Sequence, residues 1–218
     1  MLVLRKPAGF PVQSARPGQP DLVSEVKNYR AKKKEEPYVG LIHRLDQPVE
    51  GVMVMAKTRE AAAHLSRQVQ GHLTDKEYMA IVCRKDEAGS VFRDLPDEGT
   101  LEDYLLRDGK TNTSKVVPAK TPGAKKASLS YRILKRNEKR DRCLVRIQLH
   151  TGRHHQIRVQ FSHAGWPLYA DNKYGLADQT GHYCPVALCS CRIGFVHPDT
   201  GERMEFEIEP SWLHKDWE

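Results

Sequence analysis

Two short stretches hold the side chains most able to do chemistry. The first is His43-Arg44-Leu45-Asp46, set just ahead of Gln47-Pro48-Val49-Glu50-Gly51. The second is Leu149-His150-Thr151-Gly152-Arg153-His154-His155-Gln156-Ile157-Arg158. Asp46 follows the apolar approach Pro37 to Ile42. Pro48 and Gly51 after it mark a turn, and Val52 to Ala56 then read as a buried strand. A carboxylate on a loop that leads into a core strand is held firmly while facing a cleft, which suits a nucleophile or a base. A lone aspartate also brackets turns through its own hydrogen bonds, so Asp46 draws its weight from its company. Arg158 falls in the first turns of a helix expected after Gly152, and a nearby cation keeps a carboxylate ionised. Tyr78, on a predicted strand, offers a platform for a base taken out of its stack; the same ring is equally at home in a core. Arg44 either reaches into a nucleic acid or pairs with a neighbouring carboxylate.

A metal-dependent phosphodiesterase is a second reading, because His43, Asp46, His150, His154 and His155 are all metal-ligand types. Adjacent His154 and His155 on one helix are expected to point in different directions, which counts against a shared ion. Cys189-Ser190-Cys191 has no second pair at ligand spacing. The five cysteines (Cys83, Cys143, Cys184, Cys189 and Cys191) are odd in number and irregularly spaced, which fits reduced thiols in a cytoplasmic protein.

The elements that must position these residues follow from pattern. Leu2 to Leu4 reads as a strand, followed by the turn-rich Lys6-Pro7-Ala8-Gly9-Phe10-Pro11-Val12. A complete domain is expected to carry a strand or arm ahead of it, so the N-terminus is read as abbreviated. A helix is predicted over 21–34 with Asp21 as its cap, and another over 60–71 with Ala61, Leu65 and Val69 on one face. Lys76 to Cys83 alternates like a strand. Residues 89–99 read as a loop or loose hairpin, and Leu101 to Leu106 as a strand. Residues 107–126 read as an exposed basic excursion, with one strand around Lys115 to Val117. Strands are expected over 127–134 and 142–149, a helix over 154–163, a loop over 171–183, a strand within 186–195 and another over 204–208. A polar tail closes the chain. Many strands with two or three helices make a single α+β domain, 1–218, with a largely antiparallel central sheet.

Composition bounds the partners. With 39% hydrophobic residues the chain can bury a core, and an excess of seven positive charges points to a polyanion, most simply nucleic acid. No apolar run approaches the roughly 20 residues of a spanning helix, so no membrane partner is expected. The first residues lack the layout of a signal peptide.

The ordered motifs carry a resemblance. His43 to Asp46 with Gly51 and Ala56-Lys57-Thr58 resembles the catalytic loop of the RluA-type pseudouridine synthases. Lys6 to Val12 is similar to that family's opening motif, and Lys76-Glu77-Tyr78 to its tyrosine motif. Leu149 to Val159, with Gly165, Pro167-Leu168, Asp171 and Tyr174-Gly175, resembles its longest motif. Phe195, His197-Pro198 and Thr200-Gly201-Glu202 match its C-terminal signature. The resemblance implies a pseudouridine-synthase-like α+β fold with an active-site cleft, and isomerisation of uridine to pseudouridine in ribosomal or transfer RNA. It implies Asp46 as the essential aspartate, acting at the ribose as nucleophile or base. It implies that Tyr78 stacks on the target base and that Arg158 pairs with Asp46. Arg44 would fill the gap left by the flipped nucleotide, Leu149 would wall the uracil pocket, and Arg153 would join the RNA-binding set. No metal or organic cofactor is implied, and a monomer is the default. The chain departs from the pattern at Val49-Glu50, where the family usually has Thr-Ser; Glu50 is expected to set a negative charge near a site that must accept a phosphate backbone. It departs again at Leu188-Cys189-Ser190, where Leu-His-Ala is common. Many relatives carry an S4 RNA-binding domain ahead of the catalytic one, and none is expected here. A non-catalytic RNA-binding protein derived from a synthase is the alternative reading.

Overall fold

The computed structural model describes all residues except 15, 17, 85–93, 140, 176–184 and 214–218. Residues 89–93 of the expected loop at 89–99, residues 176–183 of that at 171–183, Cys184 and the end of the tail lie outside the described residues. The chain forms two compact units, one of residues 1–76 and 189–210, the other of residues 77–188 and 211–218.

The first unit is built around β3 (Glu50–Ala56), all seven residues of which are buried. β1 (Leu2–Lys6) pairs with it antiparallel, as does the short β2 (Gly40–Leu41). Two more strands complete the sheet and are numbered by chain order as β9 (Leu188–Val196) and β10 (Arg203–Glu207), paired antiparallel to each other. β3 meets β9 in parallel, with Glu50 opposite Cys189 and Gly51 opposite Ser190. Two helices belong to this unit. Asp21 caps α1 (Leu22–Lys32), its carboxylate accepting from Ser24 N, and Thr58 caps α2 (Arg59–Gln70) through Ala61 N. Ala61 and Leu65 of α2 pack on Val52, Val54, Ala56, Ile193 and Phe195, so the apolar stripe read at helical spacing is the face that makes the core.

The second unit is an antiparallel ladder: β4 (Asp75–Cys83, whose first two residues belong to the first unit), β8 (Arg142–Leu149), β7 (Lys125–Arg136), β5 (Glu98–Asp108) and β6 (Thr113–Val116). Cys143, Val145 and Ile147 of β8 are buried, as their alternation predicts, and Leu144 is buried too, against Ile81 and Ala187. α3 (Gln156–His163) packs Val159 on Leu105 and Ala127, while Phe161 meets the Tyr131 ring edge-on at 5.4 Å. The helix begins two residues later than its apolar pattern suggests. His155 adopts φ 53°, ψ 25°, a left-handed conformation that cannot belong to a right-handed helix. Among the described residues no helix is long and apolar enough to cross a membrane.

Candidate active site

The Asp46 loop is pinned at almost every residue around the aspartate. Leu45 and Val49 are buried, anchoring it from below. Val49 N donates to Asp46 O at 3.0 Å, closing the turn that Pro48 predicts. Gln47 is held on both sides: its carbonyl accepts from Gly9 N at 2.9 Å, and its side-chain amide donates to Gly9 O at 3.0 Å. The same carbonyl accepts from Lys6 Nζ at 3.0 Å. Lys6 is fully buried, and its ammonium also donates to Pro7 O at 3.0 Å and Phe10 O at 2.7 Å. Burial pulls this ammonium down to about 8, against the opposing pull of Asp46 and Glu50. Three carbonyls match three ammonium protons, so the charged form is the one this geometry accommodates.

His43 is the upstream anchor. Val54 N donates to His43 Nε2 at 3.1 Å, so this nitrogen carries a lone pair and the ring is neutral. Burial, with Lys76 nearby, lowers its pKa to about 3. Downstream, Gly51 takes φ 150°, and a Cβ placed there would lie 2.5 Å from the Ser190 Cβ. The loop therefore enters β3 through a position that only glycine fits. Arg44 is exposed and Asp46 half-buried, while the residues holding them are fixed. The result is a preorganised carboxylate with an exposed arginine two residues before it. Glu50 turns inward, with a side chain 4% exposed and Oε2 3.0 Å from Arg5 Nη2. It is thus a buried, ion-paired group rather than a charge displayed to solvent.

The second unit holds the remaining predicted residues. Tyr78, opposite Ile147 in the β4–β8 ladder, is 7% exposed. Leu149 is half-buried at the end of β8, opposite Leu129. Arg153 is exposed, and its Nε donates to Lys126 O at 2.8 Å. Its turn is fixed by Gln156, whose Oε1 accepts from Arg153 N and from Thr151 Oγ1. Arg158 is buried in a two-point pair with Asp171: Nε to Oδ2 at 2.7 Å and Nη2 to Oδ1 at 2.6 Å. Burial opposes ionisation of Asp171, but the Arg158 guanidinium and the amides of Lys173 and Tyr174 hold its carboxyl below the usual range.

His154 and His155 do not diverge as expected. The left-handed turn at His155 brings the two rings into a stack, centroids 3.7 Å apart. His154 Nδ1 lies 2.9 Å from Ser114 Oγ and its Nε2 3.2 Å from Asn112 Oδ1. Tyr174 Oη accepts the Ser114 N–H at 2.8 Å and lies 2.7 Å from His155 Nδ1. Burial, then Arg158 and His154, lower the His155 pKa to about 3, which keeps the ring neutral. Among the described residues, no group of three or more His, Cys, Asp or Glu side chains is arranged to hold a metal ion.

Sequence reasoning did not single out Lys6 or Asp171 as site residues. Both stand inside quoted motifs, and a lysine that follows apolar strand residues and precedes a proline is the signal that could have drawn notice to the first.

Comparison with known proteins bears on what this arrangement is. A family model described as RNA pseudouridylate synthase matches residues 1–163. An uncharacterized RNA pseudouridine synthase of Aquifex aeolicus is 36% identical over 194 residues, covering 81% of this chain and 57% of the relative. The ribosomal large subunit pseudouridine synthase D of Pseudomonas aeruginosa is 34% identical over 220 residues, covering 95% of this chain and 64% of the relative. The chain thus spans between half and two thirds of the length of these relatives. The structure of human RNA pseudouridylate synthase domain containing 4 superposes with a TM-score of 0.76 at 22% identity, covering 96% of this chain and 85% of that one; that likeness speaks to the fold. The same motifs that fix the Asp46 loop and the Arg158 helix fall within the matched stretch, and the chain belongs to the RNA pseudouridylate synthase family.

Proposed function

We propose that this protein isomerises specific uridines in RNA to pseudouridine, with Asp46 as the essential catalytic residue. The reaction breaks the bond between N1 and the ribose C1′, turns the uracil, and joins C5 to C1′. C5 gives up its proton and N1 gains one, so neither a redox partner nor an energy source is required. Asp46 acts at the ribose as nucleophile or base. Tyr78 stacks on the base and assists removal of the C5 proton, and Arg158 supplies positive charge to the site. Arg44 occupies the space vacated by the flipped nucleotide, Leu149 walls the uracil, and Arg153 contacts the RNA. The observation that carries the reading is the pinned loop. A carboxylate held by buried neighbours on both sides spends little freedom in reaching a reactive pose.

Ribosomal and transfer RNA are the substrate classes. Relatives named for the ribosomal large subunit favour the first. The protein works as a monomer without a cofactor. Cys83, Cys143, Cys189 and Cys191, none of them in a disulfide, suit the cytoplasm. Pseudouridine mapping of total RNA tests the proposal. Host cells lacking the gene are compared with cells restored by wild type or by Asp46→Asn. A site lost in the deletion and regained only with wild type supports it; a map unchanged by the deletion favours an RNA-binding protein without catalysis.

A further inference from the structure

The surroundings of Glu50 give this buried carboxylate a task. β1 and β3 run antiparallel, with Lys6 opposite Gly51 and Arg5 opposite Val52. Adjacent cations of β1 therefore meet the start of β3. Lys6 takes the carbonyl of Gln47, one residue past Asp46. Arg5 takes the carboxylate of Glu50, four residues past it, at 3.0 Å. The two grips bracket Pro48-Val49, the stretch whose backbone closes back on Asp46 O. Glu50 is buried opposite Cys189 in the parallel β3–β9 pairing, whereas the Arg5 side chain is 45% exposed. A carboxylate so placed is stabilised by its cation. Removing the guanidinium takes away a stabilising charge from this buried carboxylate, and any movement it then makes drags the loop.

We propose that Arg5 and Glu50 are a positioning pair for Asp46, holding the downstream half of the catalytic loop in register with β1. Glu50 touches no substrate in this account; it acts through the backbone it anchors. The inference rests on the reading of the chain as a pseudouridine synthase and goes beyond it, because it assigns a role to a partly buried ion pair outside the reacting residues. The competing idea is that Glu50 acts directly on RNA as a repulsive charge.

The test compares Arg5→Met, Glu50→Gln, the double variant and Arg5→Lys by two readouts. The first is turnover on unmodified RNA. Arg5→Met and Glu50→Gln are each expected to lower kcat about tenfold while KM for RNA stays within about twofold, since loosening misplaces the reacting group without removing an RNA contact. The double variant is expected to be no worse than either single one, because both break the same link. Arg5→Lys keeps the charge and is expected to restore most of kcat. The second readout is backbone amide exchange over residues 46–51, expected to quicken about tenfold in Arg5→Met and Glu50→Gln as local opening becomes easier. Should Arg5→Met fail to fold, Glu50→Gln, nearly isosteric, carries the same expectations. Exchange needs no activity, so a wild-type protein that forms no pseudouridine sinks the functional reading and leaves this measurement able to judge the pair. Unchanged exchange in both variants overturns the proposal. So does a Glu50→Gln enzyme with wild-type kcat and a lowered KM, which makes Glu50 a direct repulsive contact.

Discussion

Asp46 has the features of a side chain prepared for chemistry rather than for packing. It is half-buried on a loop whose flanking residues are held by Lys6, Gly9, His43 and buried Leu45 and Val49. Tyr78 is placed differently, nearly enclosed in the β4–β8 ladder. If it serves the reacting base, Tyr78→Ala lowers turnover by about a hundredfold, the size of a lost general acid–base contribution, while the Kd for RNA shifts only a few fold. Equal losses in turnover and binding would reduce Tyr78 to an RNA contact. The histidines make a prediction about stability. His43 and His155 are held neutral, each with its pKa lowered from 6.5 to about 3. A folded-state pKa below the unfolded value means the unfolded chain takes up protons first. Stability is therefore complete above about pH 6.5 and declines as pH falls toward 3. Each ring contributes at most about 1.4 kcal/mol per pH unit, and His43, which keeps part of its surface in water, contributes less than that ceiling. Urea midpoints measured from pH 7 to 5 should fall; a flat profile contradicts the assignment. The placement of Asp46 on a turn entering a buried strand, and of Arg158 in the first turn of a helix, was legible from sequence because turns and apolar runs are local signals. Lys6 was not, since a lysine ending a short strand reads as solvated. Nor was the Arg158–Asp171 pair, whose members lie 13 residues apart across a turn with no periodic relation.

At the scale of elements, β3 and its entry glycine set the position of the loop. Gly51→Ala should destabilise the first unit by on the order of 2 kcal/mol, through positive φ and the clash with Ser190 together. Chemical denaturation measures this, and a change below about 0.5 kcal/mol, the range of an ordinary surface substitution, would mean the close approach is not required. The strands with strong apolar alternation, β4 and β8, stand within a residue of where pattern places them. β5 is longer than expected, Glu98–Asp108 against Leu101 to Leu106. Its extra residues are mostly exposed and are held by backbone ladders, Glu98 to Thr100 against β7 and Arg107-Asp108 against β6. Backbone pairing of that kind leaves no hydrophobic signature in sequence. The start of α3 was misread for a related reason. The left-handed residue is a histidine, and only glycine or asparagine announces that conformation in advance.

For the whole molecule, the family, the α+β class and the basic character agree. A chain with an excess of seven positive charges that binds RNA through its backbone should lose affinity steeply with salt. Titrations at 50 and 200 mM salt should show a Kd weakened by at least about tenfold, and a Kd independent of salt would mean the charge excess serves solubility instead. The central claim is the role of Asp46, and one measurement addresses it most directly. Purified wild-type and Asp46→Asn proteins are incubated with RNA from cells lacking the gene, and pseudouridine is counted at every position. The account predicts that wild type modifies a defined site, and that Asp46→Asn forms none there while still binding the same RNA. An Asp46→Asn protein with wild-type turnover would contradict it.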